Sequence, residues 1–227
     1  MDVKSIHSFP RERVERWLLT IPFYKTVKQQ SDEQFEHLLH HAHIAEFEPG
    51  ELVLKRGEKD QWLYFLLSGG LEVYADEQAR GRAINQITPG EVFGDLAMLV
   101  GRERTASLRA SAEFRRCTVF CADFSAFSDL GSTGRIALAT KLAFYRNSVH
   151  NLRWKLEVYR NKHPEHRFAN RHRQVKLYTG ARDTRQELEA LHAQAQALAR
   201  LLMEWNGEFG GSHPSDEHNP LAMGDSR

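Results

Sequence analysis

The chain has 227 residues, of which 41% are hydrophobic and 27% charged, and its formal net charge is +1. This composition is typical of a globular protein of one large or two small domains. A net charge near zero excludes a general attraction to nucleic acid or membrane, and no apolar run approaches the ~20 residues of a membrane span. There is no signal-peptide pattern, and two cysteines are too few for a disulfide framework, so we expect a cytoplasmic protein.

Residues 1–46 are predicted to form N-terminal helices that pack on a barrel. Apolar residues recur at helical spacing, and Ile21-Pro22-Phe23 separates one helix from the next. Ser31 precedes a second apolar face and Gln34 follows three residues later, which is a capping-box pattern. This region also contains the histidines His37, His40, His41 and His43. Because no cysteine or paired carboxylate joins them, we interpret them as a solvated polar face and predict no metal site.

Residues 47–130 are predicted to form strands. Trp62–Leu67 is an apolar run of strand length, and the hairpin signal Ser68-Gly69-Gly70 follows it. Short strands that alternate with Gly and Pro turns favour a sandwich or a barrel. Cys117 and Cys121 lie four residues apart in a later strand, where they share one face, and we predict buried reduced thiols.

The stretch Phe93–Leu108 contains the residues with the clearest binding chemistry. Gly94 allows a tight turn, Asp95 supplies a short acceptor, and a single helical turn after it would present free N–H groups to an anion. Arg104 supplies a fork of donors that matches phosphate geometry. We predict a ligand with hydroxyls on one side and a single phosphate on the other. The candidate residues are Gly94, Asp95, Leu96, Ala97, Arg104, Thr105 and Ala106.

These residues resemble the phosphate-binding cassette of the cyclic nucleotide-binding domain, whose pattern is Phe-Gly-Glu-x-Ala-Leu, a short spacer and Arg-(Ser/Thr/Ala)-Ala. The matching positions are Phe93, Gly94, Ala97, Gly101, Arg104, Thr105 and Ala106. The resemblance implies that Arg104 pairs with the cyclic phosphate and residue 95 binds the ribose 2′-hydroxyl, helped by N–H groups near Leu96, Ala97 and Thr105. The family usually has Glu at position 95. Because Asp95 is one methylene shorter, we expect a longer or water-mediated hydroxyl contact.

The turns before the cassette also resemble those of the family, so the resemblance covers about residues 20–155 and implies a jelly-roll-like β-roll. The predicted fold is therefore mainly β plus α. It has N-terminal helices (1–46), a β-roll (47–130), a long helix after the barrel (131–162) and a small C-terminal helical region (163–207).

Residues 131–162 carry a heptad seam made of Leu138, Leu142, Tyr145, Val149, Leu152, Leu156 and Tyr159. This pattern predicts either a homodimer through the long helix or a helix folded onto its own barrel, because both arrangements bury the same seam. In the resembled family, the helix after the β-roll closes over the ligand. That resemblance implies that Tyr145 and Arg146 lie near the purine.

The C-terminal region combines a basic segment, 153–176, with an apolar helix that Asp183 or Thr184 caps and Gly207 ends. The basic segment is interpreted as a linker, a protein-docking segment or a nucleic-acid contact. Thr184-Arg-Gln-Glu-Leu resembles the start of a helix-turn-helix, but the turn glycine is missing and an alanine-rich sequence stands in its place. Residues 208–227 are predicted to be a disordered tail.

The leading interpretation is a cyclic nucleotide sensor that is not an enzyme. It would bind cAMP, with cGMP as the second candidate, and would signal through a protein partner not identified by the sequence. The alternative is a cAMP-responsive DNA-binding transcription regulator of the catabolite activator type. A cupin-type enzyme is set aside, because no histidine lies between Phe47 and Phe120 to hold a metal in the barrel.

Overall fold

The computed structural model describes residues 2–40, 42–59, 61–75 and 83–210. Its α-helices are α1 (Arg11–Leu18), α2 (Pro22–Gln30), α3 (Asp32–Leu39), α4 (Asp95–Val100), α5 (Ser125–Ser128), α6 (Leu138–Lys162) and α7 (Arg185–Gly210). Its strands are β1 (Asp2–Ser5), β2 (His43–Phe47), β3 (Leu52–Leu54), β4 (Trp62–Ser68), β5 (Leu71–Tyr74), β6 (Asn85–Ile87), β7 (Val92–Phe93), β8 (Ser107–Ala110) and β9 (Cys117–Asp123). Short 3-10 helices cover Ile6–Ser8 and Arg171–Gln174.

The strands form two antiparallel sheets with the orders β1-β2-β9-β4-β7 and β3-β8-β5-β6. Apolar residues of both sheets pack together in one core, which includes Phe47, Leu66, Leu71, Leu108 and Val119. This β-roll, with helices before and after it, confirms the predicted fold class. The strands begin earlier than predicted, because β1 (Asp2–Ser5) lies within the region 1–46 that was predicted to be helical and β2 starts at His43 rather than at residue 47.

The second core lies between the larger sheet and the helices. Tyr24 of α2 is fully buried and packs edge-on against Phe65 and Phe120, with ring centres 5.2 and 5.4 Å away. The same apolar cluster continues into α6 and α7. The helices on both sides of the β-roll in the sequence therefore share one core with it, which fixes where α6 crosses the cassette.

Ser31 and Gln34 join α3 to the start of α6. Ser31 Oγ accepts the Gln34 N–H at 3.2 Å, which confirms the predicted cap. The Gln34 side chain does not complete the capping box. Its Oε1 accepts the Ala137 N–H at 2.8 Å and the Thr140 hydroxyl at 3.2 Å instead. That half of the prediction is wrong, because the amide satisfies donors at the N-terminus of a different helix.

The cysteines and histidines are placed as follows. Cys117 and Cys121 are buried free thiols, as predicted, and burial raises the pKa of Cys121 to about 12. Among the described residues, no group of three or more His, Cys, Asp or Glu side chains is arranged to hold a metal ion. Of the four histidines near α3, His41 lies outside the described residues.

The heptad seam of α6 is buried inside the single chain. Leu142, Val149, Leu152 and Leu156 belong to the core that also contains residues of α2 and α7. An ion pair adds to this packing, because Arg146 donates to both carboxylate oxygens of Glu187 at 2.8 and 2.6 Å. Of the two arrangements that the seam predicts, the structure contains the one in which the helix folds onto its own chain.

The C-terminal helix α7 is continuous through the alanine-rich sequence, as predicted. Thr184 Oγ1 accepts the Glu187 N–H at 3.1 Å and caps the helix. The predicted stop at Gly207 is wrong, since the helix continues to Gly210. The rest of the predicted tail, 211–227, lies outside the described residues. In the described part of the chain, no helix combines the length and hydropathy that crossing a membrane requires.

Much of the charge of the basic segment, 153–176, is paired within the chain. Arg167 and Arg171 donate to Glu208 and Glu204 of α7. Arg173 and Arg160 both donate to Glu157 of α6, at 3.1 and 2.7 Å. The contacts of Arg167, Arg171 and Arg173 make residues 163–176 a strap that connects the ends of the two long helices.

Candidate functional site

The cassette begins at a glycine turn. β7 ends at Phe93, α4 begins at Asp95, and Gly94 between them has a φ of 82°. A Cβ atom on residue 94 would lie only 2.5 Å from Nη1 of Arg104, so only glycine lets the chain approach the guanidinium this closely. Gly101, with a φ of 64°, ends α4.

Arg104 is held at the wall of a cavity by contacts from several elements. Its backbone N–H donates to the Glu58 carbonyl at 2.8 Å. Its guanidinium is 4% exposed, donates to the carbonyls of Gly94 and Trp62, and lies 5.4 Å from the centre of the Tyr64 ring. A guanidinium oriented in this way provides directed donors to an anion at the cassette.

Asp95 is the buried acid of the site. Its side chain is 3% exposed, and Oδ2 has no hydrogen-bond partner among the residues that the structure describes. The N–H groups of Leu96 and Ala97 lie beside it in the first turn of α4, where helical N–H groups have no acceptor within the helix. Because buried polar atoms are nearly always paired in folded proteins, this oxygen points to a partner from outside the chain.

Both side chains line a cavity of about 560 Å³ between the β-roll, α6 and the end of α7. All seven predicted cassette residues, Gly94, Asp95, Leu96, Ala97, Arg104, Thr105 and Ala106, lie in its wall. The volume falls within the range of roughly 300–1,000 Å³ that is typical of small-molecule sites. Apolar β-roll residues form much of the remaining wall, among them Leu54, Phe65, Val73, Ile87 and Leu108.

One face of α6 closes this cavity. Its lining residues are Asn147, Asn151, Trp154, Lys155, Val158, Tyr159 and Lys162. Trp154 is 60% exposed, an unusual position for a large aromatic side chain, whereas Lys155 Nζ donates to the Val92 carbonyl at 3.5 Å. This face of α6 therefore presents two amides, two aromatic rings and two ammonium groups to the cavity.

Tyr145 and Arg146 do not line this cavity, so the structure corrects their predicted placement near a ligand. The Tyr145 hydroxyl donates to the Phe127 carbonyl at 3.0 Å, and the ring is buried in the seam. Arg146 points to the start of α7, where it pairs with Glu187 and with Asp183 at 2.9 Å. The predicted helix was correct, but the face assigned to the cavity was not.

Sequence reasoning missed the α6 residues that do face the cavity. A signal was present, because Asn147, Asn151, Trp154, Val158 and Lys162 recur at steps of four, three, four and four. This polar and aromatic stripe lies beside the apolar seam. It becomes distinguishable from an ordinary solvated face only once the seam is known to pack within the chain.

The region around the cassette is similar to known proteins. Residues 44–133 match the family model described as the cyclic nucleotide-binding domain. The cAMP-activated global transcriptional regulator CRP of Salmonella typhimurium is 31% identical over 85 residues, which are 37% of this chain and 40% of that protein. Potassium/sodium hyperpolarization-activated cyclic nucleotide-gated channel 3 of Homo sapiens is 35% identical over 80 residues, which are 35% of this chain and 10% of the channel.

One solved structure supports the fold. A cyclic nucleotide-binding domain from Methylobacillus flagellatus aligns with a TM-score of 0.54 at 18% identity, covering 67% of this chain and 83% of that chain. At that identity the likeness shows the architecture alone. The chain spans less than half the length of the curated relatives it matches.

Proposed function

We propose that this chain, whose residues 44–133 match the model of the cyclic nucleotide-binding domain, is a sensor that binds cAMP between its cassette and α6. The observation that carries the proposal is the unpaired Oδ2 of Asp95, buried in a cavity that Arg104 also lines. A cyclic nucleotide supplies both complementary groups. Its ribose hydroxyl donates to a carboxylate, and its cyclic phosphate accepts from a guanidinium.

The α6 stripe takes the purine in this proposal. Asn147 and Asn151 each carry an amide donor and an amide acceptor, which suit the edge of a base. Trp154 supplies a ring for stacking, and its 60% exposure leaves a face open for a base. The Thr105 hydroxyl lies in the same wall, so cGMP remains the second candidate and the order of affinities is settled by titration.

The sensor would signal through the contact of α6 with α7. Tyr159 lines the cavity, donates to Asn206 Oδ1 at 2.8 Å, and stacks on Trp205 with ring centres 5.3 Å apart. Leu202 and Asn206 of α7 line the cavity as well. A ligand in the cavity would therefore contact both helices. It would shift the equilibrium between two packing arrangements of α6 and α7 by its differential affinity for them, and a protein partner would bind one of the two arrangements.

The predicted homodimer would need a surface other than the heptad seam of α6, from which the dimer was predicted. The seam residues Leu142, Leu152 and Leu156 are almost fully buried against the chain's own helices. A dimer would therefore form through another face of α6 or through the β-roll. Sedimentation with and without cAMP measures the oligomeric state. We also propose a cytoplasmic location.

Calorimetric titration with cAMP and cGMP tests the sensor. Arg104→Lys keeps the charge but loses the planar fork, so we expect binding about 30- to 100-fold weaker. Arg109→Lys is the matched control, because Arg109 lies on β8 and donates to the Gly50 carbonyl outside the cavity. Equal affinities for the two variants would remove Arg104 from the phosphate site, and a flat titration of the wild type with both nucleotides would refute the sensor.

The DNA-binding alternative has support from the name of the transcriptional regulator CRP, which several relatives share. Against it, α7 is a single helix from Arg185 to Gly210, and the neighbouring basic segment pairs with Glu204, Glu208 and Glu157. Titration of labelled duplex DNA at two salt concentrations with cAMP present separates the two functions. Salt-dependent binding induced by cAMP would favour the regulator.

A further inference from the structure

A second cavity, of about 890 Å³, borders the cassette cavity and is here named the arginine groove. It lies between the turn after α4 and the C-terminal part of α7. The two cavities share part of their walls, since Ile84, Arg104, Thr105, Ala106 and Asn206 line both. A ligand anchored at Arg104 can therefore extend from one cavity into the other without leaving the protein surface.

Positive charge dominates the arginine groove. Its basic side chains beyond Arg104 are Arg56, Lys59, Arg102 and Arg200, and its acids are Glu103 and Glu204. Both acids have ionic partners, because Glu103 lies 3.4 Å from Lys59 and Glu204 pairs with Arg171 of the strap. The local balance is therefore an excess of guanidinium groups.

Two of these guanidinium groups come from different elements. Arg102 follows Gly101 at the end of the cassette helix, and Arg200 lies on the exposed side of α7. In the described ranges, neither side chain has an acidic or hydrogen-bonded partner. The Arg56 side chain donates to a backbone carbonyl, that of Ala75. Like charges gathered in one cleft repel each other and focus a positive potential that attracts an anion.

We propose that the ligand of this chain carries a second phosphate, and that the arginine groove binds it while the cassette binds the first. This inference rests on the proposed function, since Arg104 and Asp95 must hold the first nucleotide unit. The ligand class that fits is a cyclic dinucleotide. It has two phosphodiesters, a free 2′-hydroxyl for Asp95 and a second unit long enough to reach the adjoining groove.

The second phosphate would connect the cassette to α7. Arg102 belongs to the cassette and Arg200 to α7, so one anion between them would tie α7 to the cassette. Bidentate contacts from arginine to phosphate are among the strongest hydrogen bonds in proteins. A two-phosphate ligand would therefore stabilise the packing of α7 more than a mononucleotide does.

The test compares the full chain with the double variant Arg102→Gln/Arg200→Gln, titrated with cyclic di-AMP, cyclic di-GMP, cAMP and cGMP. For the wild type, we expect a cyclic dinucleotide to bind at least about tenfold tighter than the mononucleotide of the same base. The double variant should lose that advantage and keep its mononucleotide affinity. Arg115→Gln, an exposed arginine before β9 and outside both cavities, is the matched control and should change neither.

Each outcome separates this inference from the sensor itself. If cAMP or cGMP binds and the dinucleotides bind no tighter, the second phosphate site is overturned and the sensor stands. If the double variant loses mononucleotides and dinucleotides equally, the groove acts on the fold rather than on a second phosphate, and the inference is also overturned. If none of the four nucleotides binds, both proposals fall.

Discussion

Two buried carboxylates in this chain have similar exposure and opposite surroundings. Glu187 is 6% exposed, accepts two hydrogen bonds from Arg146, and accepts the Asp183 N–H at 2.7 Å. Asp95 is 3% exposed, and within the described residues its Oδ2 has no hydrogen-bond partner. Glu187 is complete within the fold and joins two helices. Oδ2 of Asp95 gains a hydrogen-bond partner only when a ligand binds. This distinguishes a binding acid from a structural acid.

The largest effect is expected from substitution of Glu187, the structural acid. Glu187→Ala leaves Arg146 without its main partner at the junction of α6 and α7. Removing one partner of a largely buried ion pair costs about 3–5 kcal/mol, and the partial exposure of Arg146 reduces this to roughly 2 kcal/mol. Chemical denaturation measures the loss. An unfolding free energy equal to that of the wild type would show that the pair does not secure α7.

Substitution of Asp95, the binding acid, should change the stability in the opposite direction. Asp95→Asn replaces a buried carboxyl group whose Oδ2 has no partner among the described residues, so we expect the ligand-free protein to be unchanged or up to ~1 kcal/mol more stable. Affinity for cAMP should fall about tenfold, because a neutral amide accepts more weakly than a carboxylate. Thermal unfolding and calorimetry on the same samples give both quantities. Marked destabilisation would place Asp95 with Glu187 as a structural acid.

Trp154, on the other side of the cavity, is expected to contribute to ligand binding and not to the stability of the fold. Its side chain is 60% exposed, so Trp154→Ala should leave the free energy of unfolding within about 0.5 kcal/mol. Stacking of a base on an aromatic ring is worth ~1–3 kcal/mol, which predicts cAMP binding about fivefold weaker or more. Leu177→Ala is a control, since Leu177 is equally exposed but lies outside this cavity. Unchanged affinity in Trp154→Ala would assign the base elsewhere.

The smallest effect is a pH dependence. Hydrogen bonds from Arg146 hold the pKa of Glu187 below 4.5. A folded-state pKa below the unfolded value gives stability that is present above pH 4.5 and is lost as the pH falls through the lowered pKa. Glu187→Gln should therefore flatten the decline of unfolding free energy between about pH 5 and 3. Parallel curves for the two proteins would contradict this role of the pair.

The sequence predicted the cassette better than the helix above it. Gly94, Asp95 and Arg104 lie within eleven consecutive residues, and their order on a tight turn determines their geometry. Tyr145 and Arg146 were misplaced for a physical reason. A helix rotates its side chains by about 100° per residue, so its cavity face depends on which neighbour covers the apolar seam. That neighbour, α7, is some forty residues away in the sequence.

Long-range partners explain the other differences as well. Gln34 has the spacing of a capping box, yet its amide binds Ala137 and Thr140, more than one hundred residues later. Gly207 has low helix propensity, but α7 continues past it beside the packed Trp205 ring. In each position a local signal was read correctly, and a tertiary contact outweighed it.

The most direct test of the account compares cAMP with 2′-deoxy-cAMP on the wild type and on Asp95→Asn. If the buried Oδ2 of Asp95 accepts the ribose hydroxyl, the deoxy ligand should bind the wild type about tenfold more weakly. The two ligands should then differ much less on Asp95→Asn, which gives a coupling between residue and hydroxyl. Equal wild-type affinity for the two ligands, or no binding of either, would contradict the claim that Asp95 is completed by a cyclic nucleotide.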